Sequence, residues 1–165
     1  MPTSNGKSLG CTSFASTSAA YEALPDDVKA KLDGLIALQD ARYQQNKKKA
    51  AGHLRRGDIT PHQEKVGLAT EHPVVRPHPI TGKKALFVSE SHTASIVGLL
   101  EKESDELLQF LNHHIAQPQF IYKHEWQVGD LLIWDNPTTV HRADFDYSPD
   151  QPRLMHRAST VGAQR

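Results

Sequence analysis

Trp126-Gln127-Val128-Gly129-Asp130-Leu131-Leu132-Ile133-Trp134-Asp135-Asn136 is followed by His141 and then by Arg153-Leu154-Met155-His156-Arg157. The order reads as strand, turn, strand, histidine, and a strand carrying two arginines. Gly129-Asp130 supplies the turn, and Leu131 to Trp134 is a nearly continuous apolar run of strand length. Such an order suits a metal ligand at a strand end, with guanidinium groups nearby to hold an acidic ligand.

Arg153 and Arg157 lie four apart on that last strand, so both fall on one face with Met155, while Leu154 and His156 face the other way. Two guanidinium groups turned into a protein interior are costly unless paired. A pocket for an acid explains them, because arginine meets a carboxylate with two parallel hydrogen bonds. Pairing with Asp144, Asp146 or Asp150 explains them equally well, and the residues alone leave the two readings level. His141 follows a turn, Asn136 to Val140, that leaves an apolar strand. A neutral imidazole there is suited to Fe(II).

Working outward, Phe120 to Trp126 alternates as a half-buried strand. A helix is expected from Ser104, as N-cap, to Ile115, with Leu107, Leu108, Leu111 and Ile115 on one side. Pro73 to Arg76 and Ala85 to Val88 read as short strands around a turn at Ile80-Thr81-Gly82-Lys83. Residues 44–70 carry a lysine run and few apolar residues, a texture of a mobile loop or a lid over substrate. Nearer the N-terminus, Cys11 to Ala15 reads as a strand and Ser16 to Leu24 as a helix. A second helix is expected from Pro25 to Tyr43. Asp26 and Asp27 occupy its first turn, and Val28, Leu32, Leu35 and Ile36 its apolar face. Helices followed by several antiparallel strands predict an α+β fold whose strands belong to a jelly-roll sandwich.

The 165 residues fit one domain, residues 1–165. Lys plus Arg and Asp plus Glu are both 19, so no global field draws in nucleic acid or an anionic membrane. No apolar run reaches the length of a membrane span. A single cysteine, Cys11, excludes an intrachain disulfide and makes a reducing cytoplasm the default expectation. The ten histidines are more than usual and are mostly scattered. A metal centre built from His113-His114 and His124 is not expected, since they fall on a helix and a separate strand.

Several segments in the same order resemble the taurine dioxygenase/TfdA family of Fe(II)- and 2-oxoglutarate-dependent oxygenases. His72-Pro-Val-Val-Arg-Pro-His-Pro-Ile-Thr-Gly-Lys83 with Ala85-Leu-Phe-Val88 is similar to the family's central segment. Trp134-Asp135-Asn136 followed by His141 resembles its WDN…H motif, and Arg153-Leu-Met-His-Arg157 its closing element. Gly10-Cys11-Thr12-Ser13-Phe14-Ala15 and Ala19 to Leu24 resemble an upstream stretch, so the likeness runs from about residue 9 to 162.

The resemblance implies a double-stranded β-helix with flanking helices. It implies that His141 is the distal histidine of a 2-His-1-carboxylate iron site. Thr12 and Arg153 would bind the far carboxylate of the cosubstrate 2-oxoglutarate, and Arg157 the anionic group of a small sulfonate or carboxylate substrate. The implied reaction couples decarboxylation of 2-oxoglutarate to hydroxylation of that substrate by O2.

Two departures qualify it. The family's other two ligands form an His-x-Asp pair upstream of the Thr12 segment, and the eleven residues before Thr12 include neither His nor Asp. His62-Gln63-Glu64 is the one similar string, on the wrong side of Thr12 and just after Thr60-Pro61, which reads as a helix start, where such spacing shares no face. Cys11 and Leu9 also stand where the family usually has Asp and often Gly. The expectation is an incomplete β-helix in a truncated member, with an open sheet edge favouring a homo-oligomer. The alternative is a catalytically inactive homologue that keeps an anion-binding pocket.

Overall fold

A computed structural model describes residues 3–4, 7–40, 42–43, 69–148, 150–151 and 153–160, with side chains from residue 9 onward. Almost all of the expected lid or loop at 44–70, and the His62-Gln63-Glu64 string, lie outside these residues. The chain divides into two compact units. The first comprises Met1–Phe14, Tyr122–Ile133 and His141–Arg165, and the second Ala15–Ile121 and Trp134–Val140.

Two short strands, β1 (Thr3–Ser4) and β2 (Lys7–Ser8), pair antiparallel at the start of the first unit. Its main sheet has the order β10-β3-β9, where β3 is Thr12–Ser16, β9 is Ile121–His124 and β10 is Thr139–Ala143. The unit holds Thr12 to Phe14, Tyr122 to His124 and His141 to Ala143 of those strands.

The second unit contains the larger core. Ser16 caps α1 (Thr17–Glu22), its side chain accepting from the Ala19 N–H at 3.2 Å. This is the N-cap pattern that satisfies one of the free N–H groups of the first turn. Helix α2 (Asp26–Leu32) begins after Pro25 with Asp26 and Asp27 in its first turn, as expected.

It ends far short of Tyr43, and this corrects the sequence reading. Gly34 adopts φ +75°, which a glycine accepts and which no helix continues. Ile36, expected on the helix, instead opens β4 (Ile36–Gln39). β4 lies between β5 (Thr70–Pro73) and β8 (Thr93–Ile96), both antiparallel, with Ala37 opposite His72 on one side and Ile96 on the other. The helical spacing of Val28, Leu32, Leu35 and Ile36 therefore reflects one buried side reached by α2, the turn after it and β4.

The expected hairpin is present as β6 (Val75–Pro77) and β7 (Lys84–Leu86), paired Val75 to Leu86 and Pro77 to Lys84. His78 ties its turn. Its carbonyl accepts from Gly82 N–H at 2.9 Å, and its Nδ1 faces the N–H groups of Ile80 and Thr81 at 3.3 and 3.1 Å. Nε2 of the same ring lies 3.4 Å from Asp135 Oδ2. The histidine of this motif is thus used to hold a turn.

Helix α3 (Glu101–Ile115) starts three residues before the expected N-cap. The Leu100 N–H donates to Glu103 Oε2 at 3.3 Å. Ser104 sits inside the helix, 1 % exposed, and its Oγ accepts from Ile96 N–H at 2.8 Å. It joins the helix to β8 instead of capping it. Leu108, Leu111 and Ile115 face the core with Leu32, Ala37, Val74, Leu86, Val88 and Ile96, and Leu107 packs at its margin. Fully burying one such leucine contributes about 2 kcal/mol.

Mixed helix and antiparallel sheet describe the whole, and no closed barrel is seen among the described residues. No described helix is long and apolar enough to cross a membrane. Two expected strands are absent. Leu131 to Trp134 forms no ladder, and Leu131 and Ile133 are 86 % and 85 % exposed. Residues 153–160 likewise form no strand, although exposure alternates from Arg153 to His156. A strand is defined by its partner's hydrogen bonds, and no described segment supplies them here.

Candidate functional site

Alternation along β3 sends Thr12 and Phe14 to one face of the first unit's sheet and Ser13 to the other. The contacts follow that division. On the Ser13 face, its Oγ donates to both Asp144 carboxylate oxygens at 3.1 and 3.2 Å. Lys123 Nζ lies 3.1 Å and Arg142 Nε 3.7 Å from the same carboxylate. Asp144 is therefore fully used on that face, and its N–H closes on Cys11 O at 2.8 Å. Cys11, one of the departures from the family pattern, is a buried packing residue.

On the other face, Thr12 is 8 % exposed and its hydroxyl meets two side chains. Trp126 Nε1 donates to Thr12 Oγ1 at 2.9 Å. Arg153 Nη2 donates to the same oxygen at 3.4 Å, and Arg153 Nε donates to Gly10 O at 2.8 Å. Gly10 has φ +68°, and its N–H donates to Asp146 Oδ1 at 2.6 Å. A Cβ at position 10 would fall 2.8 Å from Arg153 Cδ and 3.2 Å from Tyr147 Cδ1, so the guanidinium lies where only glycine leaves room.

Of the aspartates considered as partners, Asp144 and Asp146 are engaged as described, and Asp150 accepts from Ser148 Oγ. Arg153 has no carboxylate partner among the described residues. It is half-buried beside a hydroxyl, an arrangement suited to receiving an external carboxylate.

His141 is exposed on β10, and its ring stacks on Phe14 with centroids 5.8 Å apart and planes at 24°. Since Phe14 shares the Thr12 face, His141 stands on that face too. Arg157 is exposed, four residues beyond Arg153 in a segment without ladder pairing. The structure thus brings Thr12 and Arg153 into contact and places His141 on their side of the sheet.

The metal question turns on the donors. Among the described residues no group of three His, Cys, Asp or Glu side chains converges as a metal site. His141 by itself would supply one of the three ligands of a 2-His-1-carboxylate iron centre.

The second unit holds a separate cleft of about 270 Å³, lined among others by Gln39, His72, Phe87, Val88, His92 and Asn136. Gln39 is fixed at both ends, donating to Phe87 O at 2.9 Å and accepting from Thr93 Oγ1 at 3.0 Å. His92 Nδ1 lies 2.8 Å from Ser91 Oγ. Burial, and secondarily the Arg76 guanidinium, hold the His72 imidazole below its usual range.

Reading the chain alone missed the cleft because its histidines belong to separate strands and turns. It also missed Trp126 and Gly10 as parts of the Thr12 site, and Asp146, considered as a partner for the arginines, instead accepts from the Gly10 N–H. A glycine beside the strand and a tryptophan in the opening motif were visible, but neither carries a pairing signal.

Comparison with known proteins identifies the family of the chain. The profile of the Taurine catabolism dioxygenase TauD, TfdA family matches residues 2–159. The chain is 36 % identical over 156 residues to the (S)-phenoxypropionate/alpha-ketoglutarate-dioxygenase of Sphingobium herbicidovorans, covering 93 % of this chain and 53 % of that protein. It is 34 % identical over 161 residues to the alpha-ketoglutarate-dependent sulfate ester dioxygenase of Pseudomonas putida, covering 93 % and 50 %. Among solved structures, AAD-2 in complex with Mn(II) and N-oxalylglycine superposes with a TM-score of 0.73 at 34 % identity, over 88 % of this chain and 54 % of that one. A taurine dioxygenase from Burkholderia xenovorans gives 0.67 at 33 %, over 85 % and 45 %. The chain spans about half the length of these relatives. With the profile matched along nearly its whole length, the chain belongs to the TauD/TfdA family of dioxygenases.

Proposed function

We propose that this chain holds the distal carboxylate of 2-oxoglutarate on Arg153 and Thr12, as part of an Fe(II)/2-oxoglutarate-dependent dioxygenase that oxidises a small anionic organic substrate with O2. The observation that carries the reading is the half-buried Arg153 guanidinium, which lacks a carboxylate among the described residues and rests on the Thr12 hydroxyl. The names of the relatives, which act on sulfate esters and phenoxypropionate with alpha-ketoglutarate, support the reaction class.

In this proposal His141 is a metal ligand and Arg157 meets the anionic group of the substrate, a sulfonate or carboxylate. The antiparallel sheets are then portions of a jelly roll. Arg153 supplies the charge and the fork that fix the cosubstrate's far end, and Thr12 adds a hydroxyl donor. Calorimetric titration with 2-oxoglutarate tests this: the wild-type chain binds, and Arg153→Ala weakens binding by about 2–5 kcal/mol. Equal affinity in both removes the assignment.

A second reading, an anion-binding homologue without oxygenase chemistry, draws support from the Thr12–Arg153 contact, which needs no metal to hold a carboxylate. Anaerobic addition of Fe(II) and 2-oxoglutarate separates the two. A visible charge-transfer band supports the oxygenase, and 2-oxoglutarate binding with no band supports the binding module.

A further inference from the structure

Tryptophan and arginine side chains can only donate hydrogen bonds, whatever the placement of hydrogens. Trp126 Nε1 lies 2.9 Å and Arg153 Nη2 3.4 Å from the single oxygen of the Thr12 side chain. That oxygen has two lone pairs and one proton. With both lone pairs taken by donors, the hydroxyl has no acceptor role left. Its proton is then its only free valence and points away from both donors.

The indole is itself held. Its ring meets the His124 ring edge-on, with centroids 4.5 Å apart and planes at 85°. His124 Nε2 lies 3.1 Å from Asp130 Oδ2, which also accepts from Gln127 N–H at 2.9 Å. Asp130 thereby fixes the turn that follows Trp126 and the ring that packs on it.

We propose that Trp126 is a positioning residue: by occupying a lone pair of Thr12 it locks the threonine hydroxyl as a hydrogen-bond donor and selects an anionic acceptor over any group that must itself donate. This rests on the carboxylate reading of the Thr12–Arg153 site and names a residue that acts there through Thr12 alone. Without the indole N–H, the hydroxyl turns freely between donor and acceptor states, and its contribution to holding a carboxylate drops.

The test is calorimetric titration of the chain with 2-oxoglutarate in four proteins: wild type, Trp126→Phe, Thr12→Val, and the double variant. Losing one oriented hydrogen bond predicts that Trp126→Phe weakens binding about three- to tenfold. In the Thr12→Val background, where no hydroxyl remains to orient, the same change has no further effect. A purely structural tryptophan weakens binding equally in both backgrounds, and that result overturns the proposal, as does unchanged affinity in Trp126→Phe. If Trp126→Phe melts well below wild type, a benzothienylalanine at position 126 keeps the bicyclic shape without the N–H and gives the same comparison. Loss of binding in Arg153→Ala with none in Trp126→Phe keeps the carboxylate site and rejects the role of Trp126. No binding by the wild type rejects both.

Discussion

Arg153 reaches Gly10 through a contact that no other residue at position 10 would permit. Its Nε donates to the Gly10 carbonyl at 2.8 Å, and a Cβ on that glycine would lie 2.9 Å from the same nitrogen. The glycine's φ of +68° is a left-handed value that disfavours a side chain independently.

Gly10→Ala is therefore expected to act twice. The left-handed backbone costs about 1–2 kcal/mol of stability. The displaced guanidinium costs affinity for 2-oxoglutarate beyond that. Thermal melts and titrations on the same samples separate the effects. A stability loss with affinity untouched would show that the glycine serves the backbone alone.

Ser104 gives a prediction confined to folding. Its buried Oγ is the acceptor for the Ile96 N–H, so Ser104→Ala strands a buried donor. The expected loss is about 1–3 kcal/mol. It appears in the urea midpoint, with 2-oxoglutarate binding unchanged at temperatures where the variant is folded. A variant as stable as wild type would mean that another group accepts the proton.

His72 predicts a pH dependence. Burial first, and the Arg76 charge second, lower its folded pKa below the unfolded value of about 6.5. The unfolded chain then binds more protons between those two pKa values. Stability contributed by neutral His72 is complete above the unfolded pKa and falls as pH drops through it toward the folded one. Below the folded pKa the loss is complete and the curve flattens. Chemical denaturation of wild type and His72→Asn from pH 7.5 to 5 checks the sign. A wild-type chain that gains stability relative to the variant on acidification contradicts it.

How much of this was legible in the chain depends on how local each cause is. The β6–β7 hairpin was readable because Gly82 and His78 close its turn within five residues. The α3 face was readable because Leu108, Leu111 and Ile115 recur at helical spacing.

Helix α2 was overextended because Leu35 and Ile36 continue its apolar spacing. What decides their fate is the pairing of β4 with β5 and β8, which no local window contains. Gly34 was the only nearby hint. Leu131 to Trp134 has strand composition but lacks a ladder partner among the described residues, and composition cannot report a partner. In the site, Thr12 and Arg153 were named from family resemblance. The Trp126–Thr12 bond joins residues 114 apart in sequence, a separation that carries no periodic signal.

The most direct measurement is a crystal structure of the chain grown with 2-oxoglutarate. The account predicts the cosubstrate's far carboxylate within hydrogen-bond distance of both the Arg153 guanidinium and the Thr12 hydroxyl, with Trp126 still donating to Thr12. A carboxylate bound elsewhere, with Arg153 turned to a protein carboxylate, would contradict it.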